Sequence, residues 1–145
     1  MLKLFNLDDC LACITNKSSK LFEEALDNEF RPYHITRSQW TAMYYIYNNE
    51  RITQKELADK MSIKEPSVVR LIQKMESEGF LYRLESIKDK RIKQLELSSK
   101  GEKGYQELLP IAEKFKNYVV EGIPEKDLQV FKEVLETMTK NATKE

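Results

Sequence analysis

Apolar residues near the start of the chain, Leu7, Leu11, Ile14, Leu21, Phe22, Ala25 and Leu26, recur at steps of mostly three and four with charges between them. That is the period of a helix with one apolar stripe, and it predicts a long first helix from about residue 7 to about residue 31. Thr36 with Gln39 three positions later has the form of a capping box. Trp40, Met43, Tyr44 and Tyr47 then share a face as far as about Asn49. Thr53 and Glu56 repeat the pattern, with the hydroxyl and the carboxylate each expected to satisfy a backbone N–H, and open a short third helix whose buried side is Leu57, Ala58 and Met61. Pro66 falls in the first turn of a fourth helix, where its missing N–H costs nothing. Val68, Leu71, Ile72 and Met75 give that helix an inward face, and Gly79 stops it as a C′ glycine.

Beyond Gly79 the period changes. Residues 80–85 and 92–97 are of strand length, Gln94 and Glu96 alternate with Leu95 and Leu97, and a charged tip over 86–91 lies between them, which predicts a hairpin. Ser98 can cap a helix continuing through Tyr105, Leu108, Ala112, Phe115 and Val119, with Pro110 expected to kink it. Gly122, Ile123 and Pro124 separate a last helix carrying Leu128, Phe131, Leu135 and Met138. The fold class is mainly α with one small β-hairpin. Two helices joined by a tight turn and followed by a charged hairpin are the parts of a winged helix-turn-helix. The long amphipathic helices at both ends keep apolar faces that call for a partner.

Composition narrows the field. At 145 residues the chain is of one-domain size, and 33% charged against 41% hydrophobic with four Gly and four Pro describes an ordered domain, neither disordered nor collagen-like. The longest uncharged stretch, 38–49, is twelve residues and includes Ser, Gln, Thr and Asn. It falls short of the ~20 apolar residues a membrane span needs, so no membrane partner is expected. Residues 1–9 lack the basic and apolar regions of a secretory signal, so the cytoplasm is the expected location. Cys10 and Cys13 cannot make a disulfide framework and are expected to be thiols.

The 24 basic residues equal the 24 acidic ones, so a nucleic acid would have to be met by local charge. Residues 64–100 hold nine basic against six acidic residues, while 1–63 hold eight against nine and 101–145 seven against nine. Within the positive segment, Lys88, Lys90, Arg91 and Lys93 surround the single acid Asp89, on a protrusion able to reach phosphates or a minor groove. In the fourth helix, Ser67, Val69, Arg70, Gln73 and Lys74 lie away from the core residues. They offer a guanidinium for guanine, a carboxamide for adenine and methyls for thymine to a major groove. A solvated hairpin and a plain polar helix face would show the same residue types.

Enzymatic chemistry finds little to work with: no Gly-rich phosphate loop, no HExxH, and one histidine, His34, to serve as base. A zinc site needs about four ligands, so neither a metal nor another cofactor is expected. The competing class is a winged-helix module that binds protein and never touches nucleic acid.

Residues 35–101 resemble the winged helix-turn-helix of the MarR family of transcription regulators. The likeness lies in TQKELA, PSVVRLIQKMESEGF, the DKR ahead of a strand and LSSKG opening the next helix, in the right order at the right intervals. EGIPEKDLQVFKEVLETM is similar to the family's C-terminal dimerisation segment. The resemblance implies a DNA-binding repressor acting as a homodimer. Residues 1–34 and 101–145 would form the dimerisation region and 35–100 the DNA-binding domain. The operator would be a pseudo-palindrome with half-sites ~10 bp apart. It implies that Arg91 enters or clasps the minor groove, with Asp89 fixing the guanidinium; an exposed ion pair within the hairpin would use the same two residues. Many members have threonine where this chain has Val69, and Glu65 at the start of the recognition helix repels phosphate, so the base preference is expected to be its own.

Members commonly respond to small anionic aromatics or to cysteine oxidation. Lys17, His34, Trp40 and Tyr44 are the residues expected to line an effector pocket, with core packing the other role open to Trp40 and Tyr44. Cys10 and Cys13, three apart near a helix start, are the redox candidates. The cysteine of the family's hydroperoxide sensors aligns with Ala12 here.

Overall fold

The computed structural model describes residues 4–144. The first apolar stripe does not run as one helix. Asn6 Oδ1 accepts the Asp8 N–H at 2.9 Å and closes a 3-10 turn, Leu7–Asp9. Cys10 then takes an extended conformation (φ −80°, ψ 107°), and α1 (Leu11–Phe30) starts from its carbonyl, which accepts the Ile14 N–H at 2.9 Å. The side-chain cap thus breaks the α-helical ladder that the spacing of Leu7 and Leu11 suggested. At the other end Arg31–Tyr33 tightens into a second 3-10 turn holding Pro32, and His34 leaves it in the left-handed region (φ 58°).

Thr36 and Gln39 form both halves of the capping box, at 3.1 and 3.0 Å, and open α2 (Arg37–Asn48). The start of α3 (Gln54–Met61) departs from expectation. Thr53 Oγ1 accepts the Glu56 N–H at 3.1 Å, but its own hydroxyl donates to Glu56 Oε1 at 2.9 Å in place of the reciprocal backbone bond. Thr53 is held by tertiary structure instead: it pairs as an isolated bridge with Gln94, beside a Leu95 N–H that donates to Ile52 O at 2.8 Å. Left-handed Ser62 turns the chain into α4 (Glu65–Ser77), with Pro66 in its first turn.

Gly79, at φ +82°, ends that helix; its N–H donates to Glu76 O, and the Phe80 N–H donates to Met75 O at 2.9 Å. β1 (Leu81–Glu85) and β2 (Lys93–Leu97) pair antiparallel with Leu81 opposite Leu97 and Glu85 opposite Lys93. Ser98 Oγ accepts the Gly101 N–H at 3.1 Å and donates to Gly79 O, joining the start of α5 (Ser99–Val119) to the end of α4. Pro110 lies inside α5. After the turn at Gly122, α6 (Glu125–Ala142) completes the chain.

The chain divides into two compact units, one over Leu26–Ala112 and the other of described residues up to Ala25 with those from Glu113 on. In the first, Met43, Leu57, Val68, Ile72 and Met75 of α2 to α4 are fully buried together with Leu81 and Leu95 of the hairpin. In the second, α6 has no fully buried residue, and Leu11, Leu21, Phe22, Val130 and Phe131 each expose half or more of their surface. Among the described residues no helix is long and apolar enough to cross a membrane.

Candidate nucleic-acid interface

The register of α4 is set by what it buries. Val68, Ile72 and Met75 point into the core, which leaves Arg70, Gln73 and Lys74 exposed and places Ser67 and Val69, both half-buried, at the edges of the same face. Glu65 and Lys64 stand exposed at the helix start, Lys64 as N-cap without a side-chain bond. Three hydrogen-bonding groups of different chemistry are thus presented on one helix of groove-filling width.

The hairpin is fixed to that helix by Arg83 of β1. Its Nε and Nη2 donate to Glu76 Oε1 at 3.1 and 2.9 Å, and its backbone N–H reaches Oε2 at 3.3 Å. The bond from Arg83 is the main reason the Glu76 carboxyl is held below its ordinary range, against the opposing effect of burial. Sequence reasoning missed this pair. The only signal was two opposite charges seven apart, straddling a helix end and a strand start, a spacing no local rule singles out.

The tip is braced from within. Ser86 N–H donates to Ile92 O and Ile92 N–H to Asp89 O, each at 3.0 Å, and Lys88 N–H reaches Ser86 Oγ at 3.3 Å. Arg91 donates to Asp89 three times at 3.0 Å: from Nε and the backbone N–H to Oδ1, and from Nη2 to Oδ2. This bond lowers the Asp89 carboxyl and raises the Arg91 guanidinium, so both stay charged. The Arg91 side chain is nevertheless 89% exposed. Its guanidinium is oriented, yet open to a second anion. Lys88 and Lys90 are also exposed, and Lys93 is half-buried with its ammonium 3.3 Å from Glu85. Ile87, which the sequence reading passed over, is 97% exposed at this same tip.

The effector candidates are placed as follows. His34, Trp40 and Tyr44 belong to the unit over Leu26–Ala112, and Lys17 is exposed on the part of α1 in the other. Trp40 is half-buried, its indole N–H donating to Tyr105 O at 3.3 Å and its ring stacked on Tyr105 at 5.7 Å. Tyr44 is 42% exposed, with its ring edge-on to Tyr45. His34 is exposed.

Cys10 and Cys13 are free thiols, both partly buried. Cys10 is lowered, first by a hydrogen bond from the Cys13 thiol and then by backbone N–H groups of Cys13 and Ala12. Cys13 is raised by the same pairing and by burial.

Comparison with known proteins agrees with this geometry. The model of the MarR family matches residues 35–93, from just before α2 to the start of β2. The Bacillus subtilis (strain 168) HTH-type transcriptional regulator YwoH is 28% identical over 116 residues, 80% of this chain and 84% of its own. YybA, an HTH-type transcriptional regulator of the same organism, is 29% identical over 125 residues, 83% of each chain. Among solved structures, that of S. aureus MepR in complex with DNA has the same fold, with a TM-score of 0.85 at 21% identity over 90% of this chain and 96% of that one.

Proposed function

We propose that the chain is a MarR-family DNA-binding transcriptional regulator, a repressor which binds a pseudo-palindromic operator as a homodimer in the cytoplasm. Residues 35–100 serve as the DNA-binding domain, with 1–34 and 101–145 providing the dimerisation region. On α4, Arg70 and Gln73 read base edges, Val69 packs on a thymine methyl or sugar, and Ser67 and Lys74 position the helix on phosphates. On the wing, Lys88 and Lys90 neutralise phosphates, and Arg91, oriented by Asp89, takes the minor groove.

The observation that carries this reading is that one unit holds both an exposed polar helix face and a braced cationic hairpin, tied together by Arg83 and Glu76. Homodimerisation is supported by the apolar surface of α1 and α6 left open within one chain. An effector response through Tyr44, with Trp40, His34 and Lys17, is part of the proposal, as is oxidation at Cys10 and Cys13. The exposed ring of Tyr44 and the capping position of Cys10 support them.

Selection of bound fragments from a random-sequence duplex pool, followed by titration with salt, tests the reading. A palindromic consensus whose affinity falls steeply with ionic strength is expected. Failure to retain any duplex at low salt would overturn it.

A further inference from the structure

Ile87 is 97% exposed, more than any other large apolar side chain of the described residues, and it stands at the end of a hairpin whose other exposed tip residues, Lys88, Lys90 and Arg91, are charged. Its setting is not that of a loose loop. The backbone on either side is held by the Ser86–Ile92 and Lys88–Ser86 hydrogen bonds, and Ser86 is buried. A β-branched side chain is also stiff at χ1. Little conformational entropy remains to be lost when a surface closes over it.

Resting on the DNA-binding reading above, we propose that Ile87 is an affinity- and sequence-determining contact that packs its aliphatic side chain against the walls of an A·T-rich minor groove beside Arg91. The neighbours Lys88, Lys90 and Arg91 require the covering surface to be strongly anionic. The side chain requires it to be apolar at short range. A minor groove meets both conditions, because phosphates line its rims and deoxyribose C–H groups its walls, and apolar side chains enter such grooves elsewhere. A·T pairs are favoured because the guanine N2 amino group stands in the groove floor. An anionic lipid surface would also attract such a tip. DNA is the better occupant because Arg83 and Glu76 tie this hairpin to the exposed polar face of α4.

The test compares the full-length protein with Ile87→Ala and Arg91→Ala, using duplexes selected from a random pool by the unaltered protein and fluorescence anisotropy over a salt series. Ile87→Ala should weaken binding about tenfold, from lost apolar burial, with the salt slope unchanged because no charge is removed. Arg91→Ala should reduce the slope by about one phosphate's share. Replacing the flanking A·T pairs by G·C should erase most of the Ile87 penalty. Inosine·C pairs, which lack the minor-groove amino group, should restore it. Equal affinity of Ile87→Ala and the unaltered protein on every duplex would overturn this inference alone. So would release from anionic vesicles with duplex binding intact. Failure of the unaltered protein to bind any duplex would overturn the regulator reading, and this inference with it.

Discussion

Arg83 and Glu76 stand seven residues apart in sequence and are joined by three hydrogen bonds across the boundary between α4 and β1. The pair fixes the angle at which the wing leaves the helix. Both side chains are about one-third exposed, so the contribution to stability should be at most about 1 kcal/mol. Its direction with pH follows from the depressed Glu76 carboxyl. The stabilisation is present above the ordinary carboxyl value of 4.5 and is lost as pH falls through the lower folded-state value. Denaturant unfolding of Glu76→Gln should therefore show a deficit near neutral pH that closes as the pH falls below the ordinary carboxyl value. A deficit independent of pH would show that the pairing is not its source.

Arg91→Ala is expected to weaken binding to all duplexes, and most on A·T-rich flanks, because the guanidinium lost is one already aimed by Asp89. Asp89→Asn should give a smaller loss, since the cation stays while its orienting anion goes. Gel-shift titration of both variants against the parent checks the ranking.

Arg70→Ala should cost about 1–3 kcal/mol of operator affinity and relax preference at one base position. Equal losses on operator and scrambled duplexes would reassign Arg70 from base reading to phosphate positioning.

Gly101→Ala should destabilise the fold by about 3 kcal/mol, at the upper end of overpacking penalties. A Cβ there would collide with the backbone carbonyl oxygen of Phe80. Neither the Phe80 backbone, held by hydrogen bonds to Met75 and Ser98, nor the capped first turn of α5 can swing aside as a flexible side chain would. Thermal melting monitored by circular dichroism reads the loss.

Phe131→Asp should convert a dimer to a monomer. The side chain is 59% exposed on α6 in one chain, and a carboxylate cannot be buried unpaired at an apolar interface. Sedimentation velocity at micromolar concentration distinguishes the species.

Much of the local chemistry was legible in the sequence. The Thr36–Gln39 box, the Ser98 cap and the Gly79 stop all form where the residue types placed them. The inward face of α4 was equally readable, because Val68, Ile72 and Met75 obey the helical period. What escaped is nonlocal or context-dependent. Asn6 closed its own turn and displaced the start of α1. Thr53, bridged to Gln94, offers Glu56 its hydroxyl in place of its backbone N–H. The residues of the candidate interface could be named from their types. The clamp that orients the wing could not, since Arg83 and Glu76 belong to different elements that meet only after the turn at Gly79. The exposure of Ile87 likewise depends on how the tip is closed, which hydropathy does not encode.

No residue of α6 is fully buried within its own chain, so in the proposed homodimer this helix would find in the second copy the burial that one chain does not supply. In that proposed homodimer the DNA-binding species accumulates as the square of the free chain concentration while that stays below the dissociation constant. A cell that dilutes the protein twofold by growth would lose about fourfold of the competent form. Control would lapse abruptly on division or shut-off of synthesis, giving a switch steeper than either protomer's contact with its half-site could supply.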